Sequence, residues 1–453
     1  MYMIHKYKMS GYNIVLDVES GSVHVVDNLT FEMLNHISLP MNKNCSKSLL
    51  KKFLNYSESE IKESYAELYS LYKNGNLFSE EENYGEYKNM MENSPIKAMC
   101  LHVSHDCNLR CKYCFASTGN FGCDRKLMPL ETSKKAIDFL LENSGERKNL
   151  EVDFFGGEPL MNFDVVKQTV SYARQKEKLF NKNFRFTMTT NGILLSDDKI
   201  DYLNKEMDNI VLSLDGRREV NDNMRPKISG MGSYDSILPK FIKLVNGRGS
   251  KDYYVRGTFT KYNIDFAKDV LHMNECGFDQ LSVEPVVCDS NEDYAITKDD
   301  LPKIFEQYQL LAEQIIEKKK NGSNINFFHF MIDLNQGPCV IKRIKGCGCG
   351  NEYIAVTPDG DIYPCHQFVC MNEWKMGNVE DKIINRDIKN KFVKTTILDK
   401  QKCKDCWAKF YCSGGCNANN LKYSGDLLTP HELSCEMEKK RIECAIMIKA
   451  ALS

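Results

Sequence analysis

The stretch HDCNLRCKYCFAST, residues 105–118, places Cys107, Cys111 and Cys114 close together, directly after a strand-like apolar run. Thiolates are soft ligands that favour iron–sulfur clusters, zinc or copper(I). A structural zinc site takes four protein ligands, and a cubane cluster normally has one cysteine for each iron. Three cysteines therefore leave one metal corner free for a substrate or cofactor. The alternative is a zinc site completed by His105 or by a distant residue.

The region that follows alternates between strand-like and helix-like segments. Its strand-like runs are MCLHV, LEVDFF, FRFTMTT, NIVLSL, YYVRGTF and DQLSVEP, and the helix-like segments between them include TSKKAIDFLLEN and FDVVKQTVSYARQKEK. This alternation predicts a parallel α/β sheet, open or partly closed as a barrel. Ligands of such sheets bind at the carboxyl ends of the strands. The cysteine triplet is therefore predicted to lie at the ligand-binding end.

Later strand ends carry small and polar residues that suit a polar ligand with a charged end. The glycines of GGEP allow close backbone approach, and its glutamate can pair with an amine. TTNG and SLDG follow the third and fourth strands. Arg256, on the fifth strand, is predicted either to face a ligand carboxylate or to form a salt bridge within the sheet. The candidate ligand-binding residues are Gly156, Gly157, Glu158, Thr190, Asn191, Ser213, Asp215 and Arg256.

A second group of cysteines lies towards the C-terminus, in CGCGNEYIAVTPDGDIYPC and CKDCWAKFYCSGGC. CxxC and CxxxC spacings with turn glycines indicate metal binding, and about eight thiolates correspond to two sites of four. Zinc-ribbon binding is the alternative. The candidate ligands are Cys347, Cys365, Cys403, Cys406, Cys412, Cys416 and Cys435. The other cysteines are interpreted as small buried apolar residues: Cys45, Cys100, Cys123, Cys276, Cys288, Cys339, Cys349, Cys370 and Cys444.

Composition limits the classes of function. A chain of 453 residues is too long for one ordinary core and predicts two to four domains. With 60 basic and 62 acidic side chains and a net charge of -2, no nucleic-acid partner is expected. The apolar runs are shorter than the roughly 20 residues that span a bilayer. The start, MYMIHKYKMSGYN, lacks an apolar signal-peptide core. We therefore expect a cytoplasmic protein with no membrane partner.

The chain is expected to have three parts. Residues 1–90 contain NIVLDVESGSVHVVDN, which predicts a β-hairpin, and SESEIKESYAELYSLYKNG, which predicts a helix. A hairpin with short helices indicates a winged-helix-like module, and the polar ENYGEYKNMMENS is predicted to be a linker. Residues 91–325 hold the alternating α/β region. Residues 326–453 are predicted to be loop-rich and cysteine-rich.

These motifs resemble known families. CxxxCxxC after the first strand, with Tyr113 before the last cysteine and GGEP and SLDG at later strand ends, resembles the radical S-adenosylmethionine superfamily. The C-terminal array, with GxxxxC from Gly360 to Cys365 and then CxxCxxxxxCxxxC, resembles the SPASM cluster domain. Residues 1–90 resemble the winged-helix peptide-recognition domain of peptide-modifying enzymes. The combination, with GCGCGNEYIAVTPDGDIYPCHQF, is most similar to the SCIFF (ranthipeptide) maturases, which form a thioether in a small cysteine-rich precursor peptide.

The resemblance implies an α/β fold: a partial (β/α)6 TIM-like barrel between the N-terminal recognition domain and a C-terminal SPASM domain. It also implies roles for the residues of the barrel. Cys107, Cys111 and Cys114 would hold a catalytic 4Fe–4S cluster whose free iron binds S-adenosylmethionine. The GGEP residues would hold the methionine amine, Ser213 and Asp215 would approach the ribose, and Tyr113 would approach the adenine.

Two auxiliary 4Fe–4S clusters are implied as well, so that the cofactors would be S-adenosylmethionine and three clusters. Of the auxiliary ligand sets, the first comprises Cys403, Cys406, Cys412 and Cys435, and the second comprises Cys347, Cys365 and Cys416. Some relatives have a fourth ligand near the place where Tyr353 stands, and Cys349 or Cys339 are alternatives here. We expect this second site to be open and to accept a substrate thiolate.

The implied reaction joins a cysteine sulfur to the α-carbon of a threonine within the precursor peptide. A 5′-deoxyadenosyl radical removes the hydrogen, and a cysteine held at the open site closes the thioether. The peptide leader would bind the Ile14–Val26 hairpin by adding a strand, and a flavodoxin- or ferredoxin-type protein would donate electrons. The alternatives are an anaerobic sulfatase-maturase-like oxidase of cysteine or serine, and a non-enzymatic zinc-binding peptide-recognition protein.

Overall fold

The N-terminal module is a three-stranded antiparallel sheet with helices packed on it. The computed structural model describes residues 2–81, 83–334 and 340–453. The strands β1 (Ile4–Met9), β2 (Tyr12–Asp17) and β3 (Val23–Val26) pair in that order, and the helices are α1 (Asn28–Met33), α2 (Lys47–Leu50), α3 (Glu58–Lys73) and α4 (Gly85–Glu92). The predicted hairpin is confirmed as β2 and β3, whereas β1 was not predicted. The winged-helix assignment stays a prediction.

The central region contains all six predicted strands, each followed by at least one helix. Its elements are β4 (Ala98–Ser104), α5 (Leu130–Asn143), β5 (Asn149–Gly156), α6 (Phe163–Phe180), β6 (Asn183–Thr190), α7 (Asp197–Glu206), β7 (Asn209–Ser213), α8 (Arg218–Met224), α9 (Tyr234–Asn246), β8 (Asp252–Phe259), α10 (Phe266–Glu275), β9 (Gln280–Pro285) and α11 (Leu301–Lys320). Adjacent strands from β4 to β9 pair in parallel. Among the described strands the sheet is open and mixed, and no closed barrel forms. The partial barrel stays a prediction.

The C-terminal region continues this sheet. Its elements are β10 (Asn326–Phe327), α12 (Val340–Lys345), β11 (Tyr353–Val356), β12 (Asp361–Tyr363), β13 (Gly377–Asn378), β14 (Ile383–Ile384), α13 (Arg386–Val393), α14 (Gln401–Lys404), α15 (Lys409–Cys412), α16 (Asn417–Ser424) and α17 (Glu432–Leu452). β11 pairs in parallel with β4, and β12 to β14 add antiparallel strands beyond it. The long α17, which packs along α11, was predicted as loop.

Three hydrophobic cores hold these parts together. The largest is shared by the central region and the C-terminal region and includes Met9, Ile14 and Leu16 of the N-terminal sheet. A second lies within the N-terminal module. The third joins Tyr84 and Met91, at α4, to the C-terminal region. The predicted linker is therefore wrong, because Tyr84 and Met91 are buried despite their polar neighbours. Within the described ranges, no helix combines the length and apolarity needed to cross a membrane.

Candidate active site

The loop of the cysteine triplet rests directly on the GGEP turn. The amide of Gly157 donates to the carbonyl of Ser104 at 2.8 Å, and the amide of Glu158 donates to the carbonyl of Asp106 at 2.9 Å. A Cβ atom on Gly157 would collide with the Asp106 carbonyl, and one on Gly156, whose φ is +128°, with that of Ser104. These glycines admit the backbone that carries the cysteines, and the predicted approach of a ligand to them stays a prediction.

One cavity of about 280 Å³ gathers most of the predicted site residues. It lies at the carboxyl ends of the parallel strands, as the alternating pattern requires. Its lining includes Cys107, Cys111, Tyr113, Cys114, Gly156, Gly157, Glu158, Thr190, Asn191, Ser213 and Arg256. The C-terminal region closes the far side with His366, Gln367, Asn419 and Tyr423. The contacts predicted between these residues and S-adenosylmethionine stay predictions.

Glu158 is fully buried, and the protein itself occupies most of its carboxylate. One oxygen accepts from the Thr190 hydroxyl at 2.7 Å and from the Leu160 amide at 3.0 Å, and the other accepts from the Asn191 amide at 2.8 Å. Burial raises its pKa, while these hydrogen bonds oppose that rise. Glu158 thus fixes the ends of two neighbouring strands, with acceptor capacity left for one more donor.

Asp215 lies beneath the cavity rather than in its lining. The Tyr113 hydroxyl donates to its carboxylate at 2.6 Å, and the Thr258 amide donates at 3.0 Å. Arg225 in turn donates to the Tyr113 hydroxyl at 2.7 Å. Asp215 is fully buried, and its hydrogen bond orients the Tyr113 ring. The ribose contact that the resemblance implies for Asp215 stays a prediction.

Arg225 is a functional candidate that the sequence reasoning missed. It lines the cavity, is 9% exposed, and approaches both Asp215 and the thiol of Cys111. Its Nε–H has no hydrogen-bond partner among the described residues. In the sequence, Arg225 stands in the segment MRP at the end of α8, and this segment has the pattern of an ordinary turn. That segment also clamps the triplet loop, because the Lys112 amide donates to the Met224 carbonyl at 2.9 Å.

Arg256 forms the salt bridge that was one of its two predicted roles. It lies 2.9 Å from Glu284 on the neighbouring strand, and both side chains border the cavity. Burial raises the pKa of Glu284, but Arg256, His329 and Arg441 outweigh it and lower that pKa to about 2. The pair therefore presents opposite charges in the lining of the cavity. The contact of Arg256 with a cofactor stays a prediction.

The thiols of the triplet are held in a setting that favours the protonated form until a metal binds. Burial raises the pKa of Cys107 to about 12 and that of Cys111 to about 11, although Arg225 opposes the latter. Metal binding has to displace these protons. The Asn191 side-chain amide, 3.6 Å from the Cys107 sulfur, is a donor suited to a thiolate at that place.

The first auxiliary set converges as predicted from the motif. Its four cysteines line a single cavity of about 350 Å³ between α14 and the start of α17: Cys403, Cys406, Cys412 and Cys435. Their thiols interact electrostatically with one another. Burial raises the pKa of Cys412 to about 12 and that of Cys435 to about 11. The donor set fits a four-thiolate cluster.

The second auxiliary set lies where the sheet extension meets α16. The thiols of Cys347, Cys349 and Cys416 each interact electrostatically with that of Cys365. Cys349 was interpreted as an apolar filler with ligation as an alternative. Cys339, the other alternative, lies outside the described residues. His366, next to Cys365, brings this set to the wall of the first cavity.

Lys400 is a second residue that the sequence reasoning missed. It is 1% exposed, and its ammonium donates to the Gly414 carbonyl at 2.7 Å and to the Asn417 side chain at 3.1 Å. It interacts electrostatically with cysteines of both auxiliary sets, including Cys403 and Cys416. A fully buried ammonium is costly without nearby negative charge, which thiolate clusters would supply.

The other described cysteines fall into three groups. Three are only half-buried, which corrects their interpretation as buried residues: Cys45, Cys276 and Cys288. Cys100 and Cys444 are buried as predicted. Cys123 and Cys370 instead form a disulfide that joins the loop after the triplet to the C-terminal region. This corrects their interpretation as fillers, and the reason is that two turns 247 residues apart meet beside the cavity.

The donor chemistry fits iron–sulfur clusters and a polar, charged cofactor. Three thiols, an unpartnered guanidinium N–H and polar strand ends share one cavity. Within the part of the chain that the structure describes, no group of three or more His, Cys, Asp or Glu side chains converges on a single metal ion. Each thiolate of a cubane binds a different iron, so a cluster does not require convergence on one point.

Comparison with known proteins places both metal regions in families. Residues 101–257 match the radical SAM superfamily, and residues 347–407 match the SPASM iron–sulfur cluster-binding domain. The chain therefore carries a radical SAM domain followed by a SPASM iron–sulfur domain.

Individual relatives are distant but extensive. The radical SAM cyclopropyl synthase TigE of Paramaledivibacter caminithermalis is 22% identical over 92% of this chain and 89% of its own length. The cysteine-type anaerobic sulfatase-maturating enzyme of Clostridium novyi is 26% identical over 70% of this chain and 86% of its own. Streptococcus suis SuiB, solved with S-adenosylmethionine, is 19% identical with a TM-score of 0.55 over 95% of this chain and 98% of that chain. The likeness to SuiB therefore includes the N-terminal module.

Proposed function

We propose that this chain is a radical S-adenosylmethionine enzyme that forms an intramolecular thioether, from a cysteine sulfur to a threonine α-carbon, in a small cysteine-rich precursor peptide. The observation that carries the proposal is the first cavity. Its lining includes the cysteine triplet and His366, which is adjacent to Cys365 of the second auxiliary set and packs 5.5 Å from Phe115, the residue after Cys114. A peptide in that cavity would lie between the two iron–sulfur sites.

Names of relatives support a peptide substrate. A PqqA peptide cyclase of Gluconobacter oxydans is 23% identical to this chain, and a further structure of SuiB contains the precursor peptide SuiA, with a TM-score of 0.53 to this chain. The cofactors in the proposal are S-adenosylmethionine and three 4Fe–4S clusters, with a flavodoxin- or ferredoxin-type electron donor. When bound, the first cluster supplies the electron that cleaves S-adenosylmethionine to a 5′-deoxyadenosyl radical.

The chain's own residues position the reactants and exclude water. Arg225 and Tyr113 form a buried, hydrogen-bonded floor beneath the cofactor cavity, and Glu158 locks the strand ends beside it. Holding the reacting groups in register converts a bimolecular encounter into an intramolecular one, which can contribute on the order of 7–11 kcal/mol. A closed cavity also protects a radical from side reactions.

The peptide leader is proposed to bind at the N-terminal sheet. β3 is an edge strand whose outer side has no paired strand within the described sheet. Beside it runs a groove of about 830 Å³ lined by Val23, Val25, Phe330, Met331 and Ile448. An extended peptide can add to such an edge through backbone hydrogen bonds while the groove receives its apolar side chains.

The test uses the anaerobically reconstituted full chain with reductant, S-adenosylmethionine and a cysteine- and threonine-containing precursor peptide. The expected product has lost two hydrogens and one free thiol, and 5′-deoxyadenosine accumulates with it. The Cys107→Ala, Cys111→Ala, Cys114→Ala triple variant should form neither. Absence of 5′-deoxyadenosine from the wild-type chain would refute the proposal.

A second candidate is a sulfatase-maturase-like oxidation of cysteine or serine, supported by the Clostridium novyi relative. The same assay separates the two, because that oxidation yields an aldehyde and no blocked thiol. The zinc-binding alternative predicts a colourless protein that contains zinc. Iron–sulfur absorption after anaerobic purification would exclude it.

A further inference from the structure

We propose that Cys349 supplies the fourth thiolate of the second auxiliary cluster site, so that the protein itself closes this site when no peptide is bound. The inference rests on the iron–sulfur site of the proposed function, and it revises the expectation that this site is open. It concerns a residue that lies outside the CxxC and GxxxxC spacings of the C-terminal motifs.

The backbone places Cys349 beside a predicted ligand. The amide of Gly350 donates to the carbonyl of Pro364 at 3.0 Å, so the residues before and after this bond, Cys349 and Cys365, are held side by side. The carbonyl of Gly348, a residue with φ of +74°, accepts from three amides in the following turn at 2.9–3.1 Å. This tight turn fixes Cys349 independently of any metal.

The side chain of Cys349 is also committed to the cluster site. It is 3% exposed, and its thiol interacts electrostatically with those of Cys365, Cys347 and Cys416. A cysteine that merely fills a core has no need of a sulfur partner. Here four thiols from three segments share one neighbourhood, which is the number that a cubane requires.

Tyr353, at the other candidate position for a fourth ligand, interacts with Cys100 instead. Tyr353 stands where some relatives have a fourth ligand, but its hydroxyl interacts electrostatically with the thiol of Cys100 on β4, the strand that pairs with β11. Tyr353 is also bridged to Cys349 through the backbone. This chain therefore has a tyrosine at the place where some relatives have a ligand, and it has a cysteine at residue 349, which is bridged to that tyrosine.

Closure by Cys349 has a consequence for the peptide. A peptide cysteine that binds this iron has to displace the Cys349 sulfur. The thiol proton then moves from the incoming sulfur to the leaving one, so the charge of the site is unchanged and no electron is transferred.

The experiment reads the auxiliary clusters alone. In the Cys107→Ala, Cys111→Ala, Cys114→Ala background, Cys349 is left intact or replaced by Ala or Ser, and the proteins are reconstituted anaerobically. Mild ferricyanide oxidation releases iron from a cubane corner that lacks a thiolate and leaves a three-iron cluster with a characteristic EPR signal. We expect that signal to be at least fivefold larger with Cys349→Ala than with Cys349 intact, and intermediate with Cys349→Ser.

Controls separate ligation from folding. Cys276→Ala, at a half-buried cysteine outside both sets, should match the parent. If Cys349→Ala binds about four fewer irons per chain with an unchanged circular dichroism spectrum, ligation is equally supported. If Cys349→Ala does not fold, Cys349→Ser decides the test. Equal EPR signals and iron contents in the parent and the folded variants would overturn the proposal. Failure of the peptide assay with this result intact would refute only the proposed function.

Discussion

At the scale of single residues, the buried Arg225 determines how the floor of the cavity is built. Its guanidinium lies 3.6 Å from the Asp215 carboxylate, donates a hydrogen bond to the Tyr113 hydroxyl, and lies near Cys111. Removing one partner of a buried charge pair typically costs about 3–5 kcal/mol. Arg225→Met should therefore lower the free energy of unfolding by that amount and reduce 5′-deoxyadenosine formation more than tenfold.

Thermal unfolding and product chromatography check this prediction. The matched control is Arg185→Met, since Arg185 forms an exposed 3.5 Å pair with Asp252. Exposed pairs contribute about 0–1 kcal/mol, so this variant should resemble the wild type in both measurements. Equal behaviour of the two variants would show that Arg225 has no special role.

Lys400 leads to a prediction about redox chemistry. A buried positive charge between two cluster sites stabilises the reduced, more negative state of each. Lys400→Met should shift the auxiliary reduction potentials to more negative values, by about 60 mV for each 1.4 kcal/mol of lost interaction in a one-electron couple. Potentiometric titration followed by EPR measures the shift.

The control for this variant is Lys439→Met, at the rim of the first auxiliary cavity. Lys439 is partly exposed and pairs with Glu436, so solvent screens its charge. Its replacement should change the potentials much less. A positive shift in Lys400→Met would contradict the prediction.

Sequence reasoning located the motif residues of the site but not the residues that support them. Cysteine spacing and strand-end motifs placed the triplet, GGEP and Ser213 at one end of the sheet. Arg225, Glu284 and Lys400 carry no local pattern, because their partners come from distant segments. The hydrogen bond between Asp215 and Tyr113 was likewise missed, because the two residues lie 102 positions apart in the sequence.

At the scale of elements, β3 offers an edge that a peptide can extend. Val25 is 53% exposed on that strand and lines the adjacent groove. Val25→Lys places a charge in the apolar groove, which should raise the KM for the precursor peptide at least tenfold. Formation of 5′-deoxyadenosine without peptide should stay unchanged, because the groove is separate from the cofactor cavity.

The matched control is Ile383→Lys, at a 69% exposed residue on β14, the edge strand of the other sheet. That change should leave the KM for the peptide unaltered. Peptide kinetics at saturating S-adenosylmethionine measure both variants. An unaltered KM in Val25→Lys would place leader binding elsewhere.

Elements with a strong period were predicted correctly, and those that depend on distant pairing were not. The six parallel strands stood out because each is an apolar run bounded by turn residues. β1 contains HKYK and reads as polar, yet its His5 ring stacks on Trp407 at 3.7 Å. β11 is short, and only its parallel pairing with β4 makes it part of the main sheet.

At the scale of the whole molecule, the radical SAM and SPASM regions share one sheet and one core. All residues of β4 are buried in the whole chain. A fragment of residues 91–325 would lack β11 and would therefore expose the edge of β4 to solvent. Such an edge favours aggregation. We therefore expect this fragment to be insoluble or aggregated on size-exclusion chromatography.

Co-expression with residues 326–453 as a separate chain is the matched control. It restores β11 to the edge of β4 and should return soluble material. A monodisperse fragment with a cooperative unfolding transition would contradict the expectation that the two regions fold together.

The parallel pairing of β11 with β4 also has a geometric consequence. The cysteine triplet follows β4, and Cys365 follows the β11–β12 hairpin, so backbone hydrogen bonds fix the span between the two iron–sulfur sites. If the proposed chemistry is correct, that fixed span sets the size of the ring that the enzyme closes. The number of atoms in the macrocycle would be dictated by the enzyme's β-sheet rather than by the flexibility of the peptide.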